Sequence, residues 1–132
     1  GRGKDEGLTK TVEELQALAD SAAKLYREGK NQAADAALDS LFKIARRAGM
    51  ISEFFINVFA YNFQSPQDEP MCIALLKRSI EFFPESYTAC ELLASVYESK
   101  GNKELALRYF RKVLELDPGN RNAVRKIQEL QK

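Results

Sequence analysis

Apolar residues recur along this chain at steps of three and four, the spacing of one face of an α-helix. From Thr11 to Glu28 they are Val12, Leu15, Leu18, Ala19, Ala22, Leu25 and Tyr26. Thr11 with Glu14 can form a capping box, and Gly29 suits the left-handed residue past the end. A second helix is predicted from about Gln32 to Arg47, with Ala33, Ala34, Ala37, Leu38, Leu41, Phe42 and Ala45 inside. Ser52 can cap a third helix, which carries Phe54, Phe55, Phe59, Tyr61 and Phe63 and is apolar on most sides. Ser65-Pro66 ends it, Asp68 can cap a fourth, and Pro84 stops that one. Ser86 and Asn102 can cap the fifth and sixth helices, which Gly101 separates. After the turn Asp117-Pro118-Gly119-Asn120, a last helix from Arg121 to Gln131 shows only Ala123, Val124, Ile127 and Leu130 as apolar positions.

Within residues 87–120, Cys90, Leu93, Ala94 and Tyr97 are followed by Gly101, Ala106, Phe110 and Pro118. This order of large and small residues closely resembles a tetratricopeptide repeat, a helix–turn–helix unit of about 34 residues. Shifting back by one unit takes Cys90 to Ile56, Leu93 to Phe59, Ala94 to Ala60 and Tyr97 to Phe63. Ala106 goes to Cys72, Phe110 to Leu76 and Pro118 to Pro84, so residues 53–86 read as a second repeat. Gly101 goes to Gln67, which implies a different turn between the two helices. Residues 15–48 read as a degenerate first repeat, with Ser21 where Leu is expected and Arg46 where Pro is expected.

The resemblance implies an all-α fold, an α-α superhelix of about three helical hairpins. Residues 121–132 form a polar C-terminal capping helix that covers the last apolar face. Residues 1–10 are expected to be a disordered segment and 11–132 the repeat domain. Ser52 to Leu130 is also similar to the tetratricopeptide-like C-terminal tail of some bacterial serine hydrolases. That similarity runs through Ser52, Glu53, Asn57, Ala60, Tyr61, the stretch Leu76 to Glu81, Phe83 to Ser86 and Leu114 to Pro118. It implies a catalytic domain outside this chain, and the chain as its structural or oligomerising appendage.

Composition narrows the chemistry. The 132 residues contain no His and no Trp, so the commonest metal ligand and general base are missing. Net charge is +1 from 20 basic and 19 acidic residues, which gives no electrostatic case for nucleic acid or an anionic membrane. No apolar run approaches a bilayer span. Lys43, Arg46, Arg47, Lys77 and Arg78 read as a solvated face. Cys72 and Cys90 read as buried free thiols, with a disulfide as the alternative if the protein is exported. No catalytic constellation, cofactor motif or metal-ligand spacing stands out.

The expected function is therefore a non-catalytic module that binds a protein or peptide in a concave groove, with a homodimer as a further possibility. Groove candidates are Tyr26 from the first hairpin, Phe54, Asn57, Tyr61 and Gln64 from the second, and Glu91, Ser95 and Glu98 from the third. The alternative for Phe54 and Tyr61 is packing against the first hairpin. Chaperone-binding members of the family hold a peptide carboxylate with Lys, Arg and Asn. The matching positions here are Ala19, Ala23, Val58, Thr88 and Leu92, so no carboxylate clamp is expected. Glu91 and Glu98 favour a neutral or basic ligand. A cytoplasmic setting is expected, or an exported one if the parent is a secreted hydrolase.

Overall fold

The computed structural model describes residues 2–132, with side chains from residue 6 onward. Its helices are α1 (Arg2–Arg27), α2 (Asn31–Arg47), α3 (Glu53–Tyr61), α4 (Glu69–Phe82), α5 (Tyr87–Ser99), α6 (Lys103–Leu116) and α7 (Arg121–Leu130). A 3-10 turn, Pro66–Asp68, joins α3 to α4. The pairs α1–α2, α3–α4 and α5–α6 form hairpins, and α7 covers α6. The fold is thus an all-α solenoid of three hairpins with a terminal helix, and no strand occurs among the described residues.

Small side chains set the spacing inside each hairpin. Ala22 and Ala34, Ala60 and Cys72, and Ala94 and Ala106 are all buried, which lets each helix pair approach closely. Leu38, Leu76 and Phe110 fill the space beside these notches and are equally buried. Along one repeat position the burial changes. Leu93 is fully enclosed, Phe59 is half-buried and Ser21 is exposed. At this one position the departures from the repeat pattern therefore leave less buried toward the N-terminus, although the first hairpin's own core, with Leu15, Ala22, Ala34 and Leu38, is buried.

Helix ends follow local chemistry. Ser52 Oγ accepts from Phe55 N at 3.0 Å, Asn102 Oδ1 from Leu105 N at 3.1 Å and Asn120 Oδ1 from Ala123 N at 2.9 Å. At Gly101 the chain turns at φ 78°, with Gly101 N bonded to the Glu98 carbonyl and Asn102 N to the Tyr97 carbonyl. This is the Schellman arrangement, and the left-handed residue it needs is glycine. The corresponding turn of the second hairpin has no glycine and is the 3-10 turn instead.

Several expectations are corrected. α1 starts at Arg2, so residues 2–10 are helical rather than disordered, and Gly1 lies outside the described residues. No Pro interrupts this segment, and Leu8 stands one helical turn before Val12. Thr11 is consequently inside a helix, where its hydroxyl donates to the Gly7 carbonyl at 3.0 Å, and no capping box forms. Val12 and Ala33 are exposed rather than inside. Asp68 and Ser86 make no cap bond; Asp68 is held by Arg27 and Ser65, and the Ser86 hydroxyl donates to the Glu53 carboxylate.

The first junction differs from the other two. α5 packs on α4 and α7 on α6, the order expected when each hairpin leads with its first helix. The first hairpin instead meets α4 and the 3-10 turn. Phe42 of α2 packs against Phe82 of α4 with ring centroids 5.6 Å apart and planes tilted by 33°, and the Arg78 guanidinium lies over the Phe42 ring while pairing with Asp39. At the other end Arg27 Nε donates to Asp68 Oδ1 at 2.6 Å.

Two measurements check these assignments. Gly101→Ala has open space for its Cβ but must hold a left-handed backbone, so it should lower unfolding free energy by about 1 kcal/mol. Gly119→Ala, with open space and no positive φ, should stay near wild type in the same urea titration. The hydrogen bond from Arg27 holds the Asp68 carboxyl below its ordinary value, with burial opposing and Ser65 assisting. Its contribution is complete above the unfolded aspartate pKa of about 3.9 and is lost as pH falls through the lower folded value. The urea midpoint of the wild type should therefore fall more steeply than that of Asp68→Asn in acid; parallel curves would remove Asp68 from the junction.

Candidate functional site

α3 and α5 stand side by side over α4 and leave a cleft of about 250 Å³. One wall is the C-terminal end of α3 and the residues after it, with Ala60, Tyr61, Phe63 and Gln64. The opposite wall is Leu92, Ser95, Val96 and Ser99, which recur at three- and four-residue steps on one face of α5. The floor is Glu69, Cys72 and Leu76 of α4. The lining is thus apolar at depth and polar at the rim, with Glu69 as its charged member. Burial pushes the Cys72 thiol up to about 11, with the Glu69 charge adding to the effect, so it is a protonated, apolar part of the floor. Cys90 is also buried, its thiol raised by desolvation, and both cysteines are free.

Beside this cleft α3 presents Phe54, Val58 and Tyr61 on one face, at steps of four and three. Phe54 is 79% exposed and Tyr61 54%. These two rings are exposed rather than packed against the first hairpin, which docks mainly on α4. Large apolar groups held in solvent on a rigid helix are what a partner surface requires.

The eight groove candidates divide. Tyr61, Gln64 and Ser95 line the cleft, and Phe54 is exposed two turns earlier on the same face of α3 as Tyr61. Asn57 is buried, accepting from the Ser79 hydroxyl at 3.0 Å, so it joins α3 to α4 and is not presented to a ligand. Tyr26 is buried too. Its hydroxyl donates to Asp35, and burial with that bond raises its pKa. Glu91 accepts from Asn120 at 3.0 Å, and Glu98 pairs with Lys126 at 3.0 Å. Both glutamates therefore hold α7 on the end of the array, and the preference for basic ligands assigned to them is spent internally. Val96, Ser99 and Glu69 were missed, and Leu92 and Cys72 were read only as an uncharged clamp position and a buried thiol. The α5 residues could have been found by extending Ser95 along its own helical face; Glu69 depends on the irregular turn before α4.

A second, more open cleft of about 650 Å³ lies between the first hairpin and α4. Asp35, Asp39, Lys77, Arg78 and Glu81 line it with charges of both signs, and Arg78 is committed to Asp39 and Phe42. It reads as the seam of the unusual junction. No helix among the described residues is long and apolar enough to cross a membrane.

The family model for the tetratricopeptide repeat matches residues 87–120. That span is the α5–α6 hairpin with its closing turn. Residues 87–120 are thus similar in sequence to a tetratricopeptide repeat. The N-terminal domain of stress-induced protein-1 from C. elegans has a similar structure, with a TM-score of 0.58 at 17% identity over 92% of this chain and 98% of that one. The likeness extends the tetratricopeptide solenoid fold across all three hairpins. No curated protein matches the chain. Tetratricopeptide solenoids are protein–protein interaction scaffolds, typically without catalysis of their own, and their stacked repeats create extended concave binding surfaces.

The buried polar latch can be tested directly. Ser79→Ala leaves Asn57 without its donor in an enclosed site and should cost about 1–3 kcal/mol. Urea unfolding of Ser79→Ala against the exposed control Ser40→Ala measures it.

Proposed function

We propose that the chain is a non-catalytic binding module that holds a peptide or partner segment along α3 and in the cleft between α3 and α5. The observation that carries this reading is the exposure of Phe54, Val58 and Tyr61 in a row on one rigid helix, next to an apolar cleft with a polar rim. Aromatic side chains have few rotatable bonds and so lose little entropy on binding. No carboxylate clamp is proposed, because Ala19 and Ala23 are buried and Val58, Thr88 and Leu92 carry no charge.

Photo-cross-linking in cells tests the surface. A benzoylphenylalanine at position 61 should give a discrete adduct that the same probe at Lys43, on the opposite part of the array, does not give. Identical adducts from both positions, or none from position 61, would count against the groove. For the partner so captured, Tyr61→Ala should weaken binding by about 2 kcal/mol, roughly 30-fold in Kd, with unchanged helicity.

A further inference from the structure

The walls and rim of the groove carry no charge, although 30% of the chain is charged. No charged residue lies between Glu53 and Asp68, and the exposed row Phe54, Val58 and Tyr61 falls inside that stretch. The matching row on α5, one repeat later, is Thr88, Leu92, Ser95 and Ser99, again uncharged. The glutamates of α5 are engaged elsewhere, Glu91 by Asn120 and Glu98 by Lys126. On the floor, Glu69 Oε1 is shielded from solvent and lies 3.5 Å from the Lys100 ammonium, so its charge is compensated within the protein. Below the rim the lining is apolar, with Ala60, Phe63, Leu76 and Val96.

From this neutrality we infer that the groove takes an uncharged segment of a partner polypeptide, which sets one large apolar side chain into the cleft and continues along α3 toward Phe54. The inference rests on the groove proposed above and names the chemistry of what fills it. A charged side chain entering the cleft would give up its water and find no unpaired opposite charge in the lining to offset that cost. An apolar one carries no such cost and takes apolar lining out of water as well. A volume of about 250 Å³ is below the roughly 300–1,000 Å³ of sites for whole small molecules, and suits one side chain. From Tyr61 back to Phe54 the helix rises by about 10 Å, which about three extended residues cover. The neutral groups of Gln64, Ser95 and Ser99 at the rim can bond the peptide groups of such a segment. A second copy of this chain fits less well. At the roughly 150–250 Å² that a whole aromatic side chain buries, the row of Phe54, Val58 and Tyr61 offers on the order of 300 Å² per copy. Two such rows would bury about 600 Å², short of the roughly 1,000 Å² of a specific interface.

The test titrates the N-acetyl amino acid amides of norleucine, lysine and glutamate into the full chain while NMR follows the methyl resonances of Leu76, Leu92 and Val96. Norleucine and lysine share one straight stem and differ in the terminal ammonium. The norleucine amide should shift these methyls saturably, with a Kd of roughly 10–100 mM, the range that burying one aliphatic side chain supplies. Both charged amides should bind at least about tenfold more weakly. Ser95→Trp, at an exposed rim position, should fill the cleft and abolish the norleucine shifts with unchanged helicity. For the partner captured by the position-61 cross-link, Kd should change less than about twofold between about 0.05 and 0.5 M NaCl, since no charge pair forms that salt could screen. Equal or tighter binding of either charged amide, norleucine shifts that persist in Ser95→Trp, or no shift with norleucine overturns the inference. So does a roughly tenfold loss of partner affinity over that salt range. A position-61 adduct at twice the mass of the chain makes the occupant a second copy and also overturns it. If the cross-link to another protein survives while the amides contradict a neutral cleft, the groove stands with a different occupant. If the cross-link itself is absent, the groove reading fails whatever the amides show.

Discussion

The close approach of paired helices at buried small residues is the constraint on which this molecule depends. Ala94 with Ala106, Ala60 with Cys72 and Ala22 with Ala34 are buried small residues at which paired helices meet. Each hairpin so formed is thin and has apolar groups on both sides. It cannot exclude water alone, so hairpins must stack, and the last must be covered. α7 meets that need with a narrow apolar stripe. Asn120 and Lys126 fasten it to Glu91 and Glu98 of α5.

Stacking is not uniform, and the irregularity makes the candidate site. If α3 had led the second hairpin onto the first, its aromatic face would have been spent on packing. α4 takes that place instead, joined by Phe42–Phe82 contact, by Arg78 over Phe42 and by the Arg27–Asp68 pair at the 3-10 turn. The same turn sets Glu69 at the head of α4, facing the cleft beneath α3 and α5. One departure from the repeat, Gln67 in place of a turn glycine, thus accompanies both the exposed aromatics and the charge in the cleft.

Polar groups in this structure serve either to lock helices together or to remain available, and burial separates the two. Asn57 with Ser79, and Tyr26 with Asp35, are enclosed and paired, so their cost of desolvation is offset within the protein. Gln64, Ser95 and Ser99 sit at the rim of the cleft, exposed to solvent. Glu69 lies between the two, its Oε1 shielded and without a hydrogen bond but 3.5 Å from the Lys100 ammonium.

Helix number, the hairpin pairing and the repeat at residues 87–120 were legible from the sequence because they depend on local periodicity and on small residues at fixed steps. The caps at Ser52, Asn102 and Asn120 were legible for the same reason, since a cap bond spans only three residues. Which helix of the second hairpin meets the first was not legible, because Phe42, Arg78 and Phe82 pair across long separations that no spacing rule connects. Of the site, Tyr61, Gln64 and Ser95 followed from their places in the repeat. Glu91 and Glu98 were misplaced because their partners, Asn120 and Lys126, come from a helix whose approach only the tertiary structure decides. Glu69 was overlooked because an irregular turn, rather than a repeat position, brings its carboxylate into the cleft.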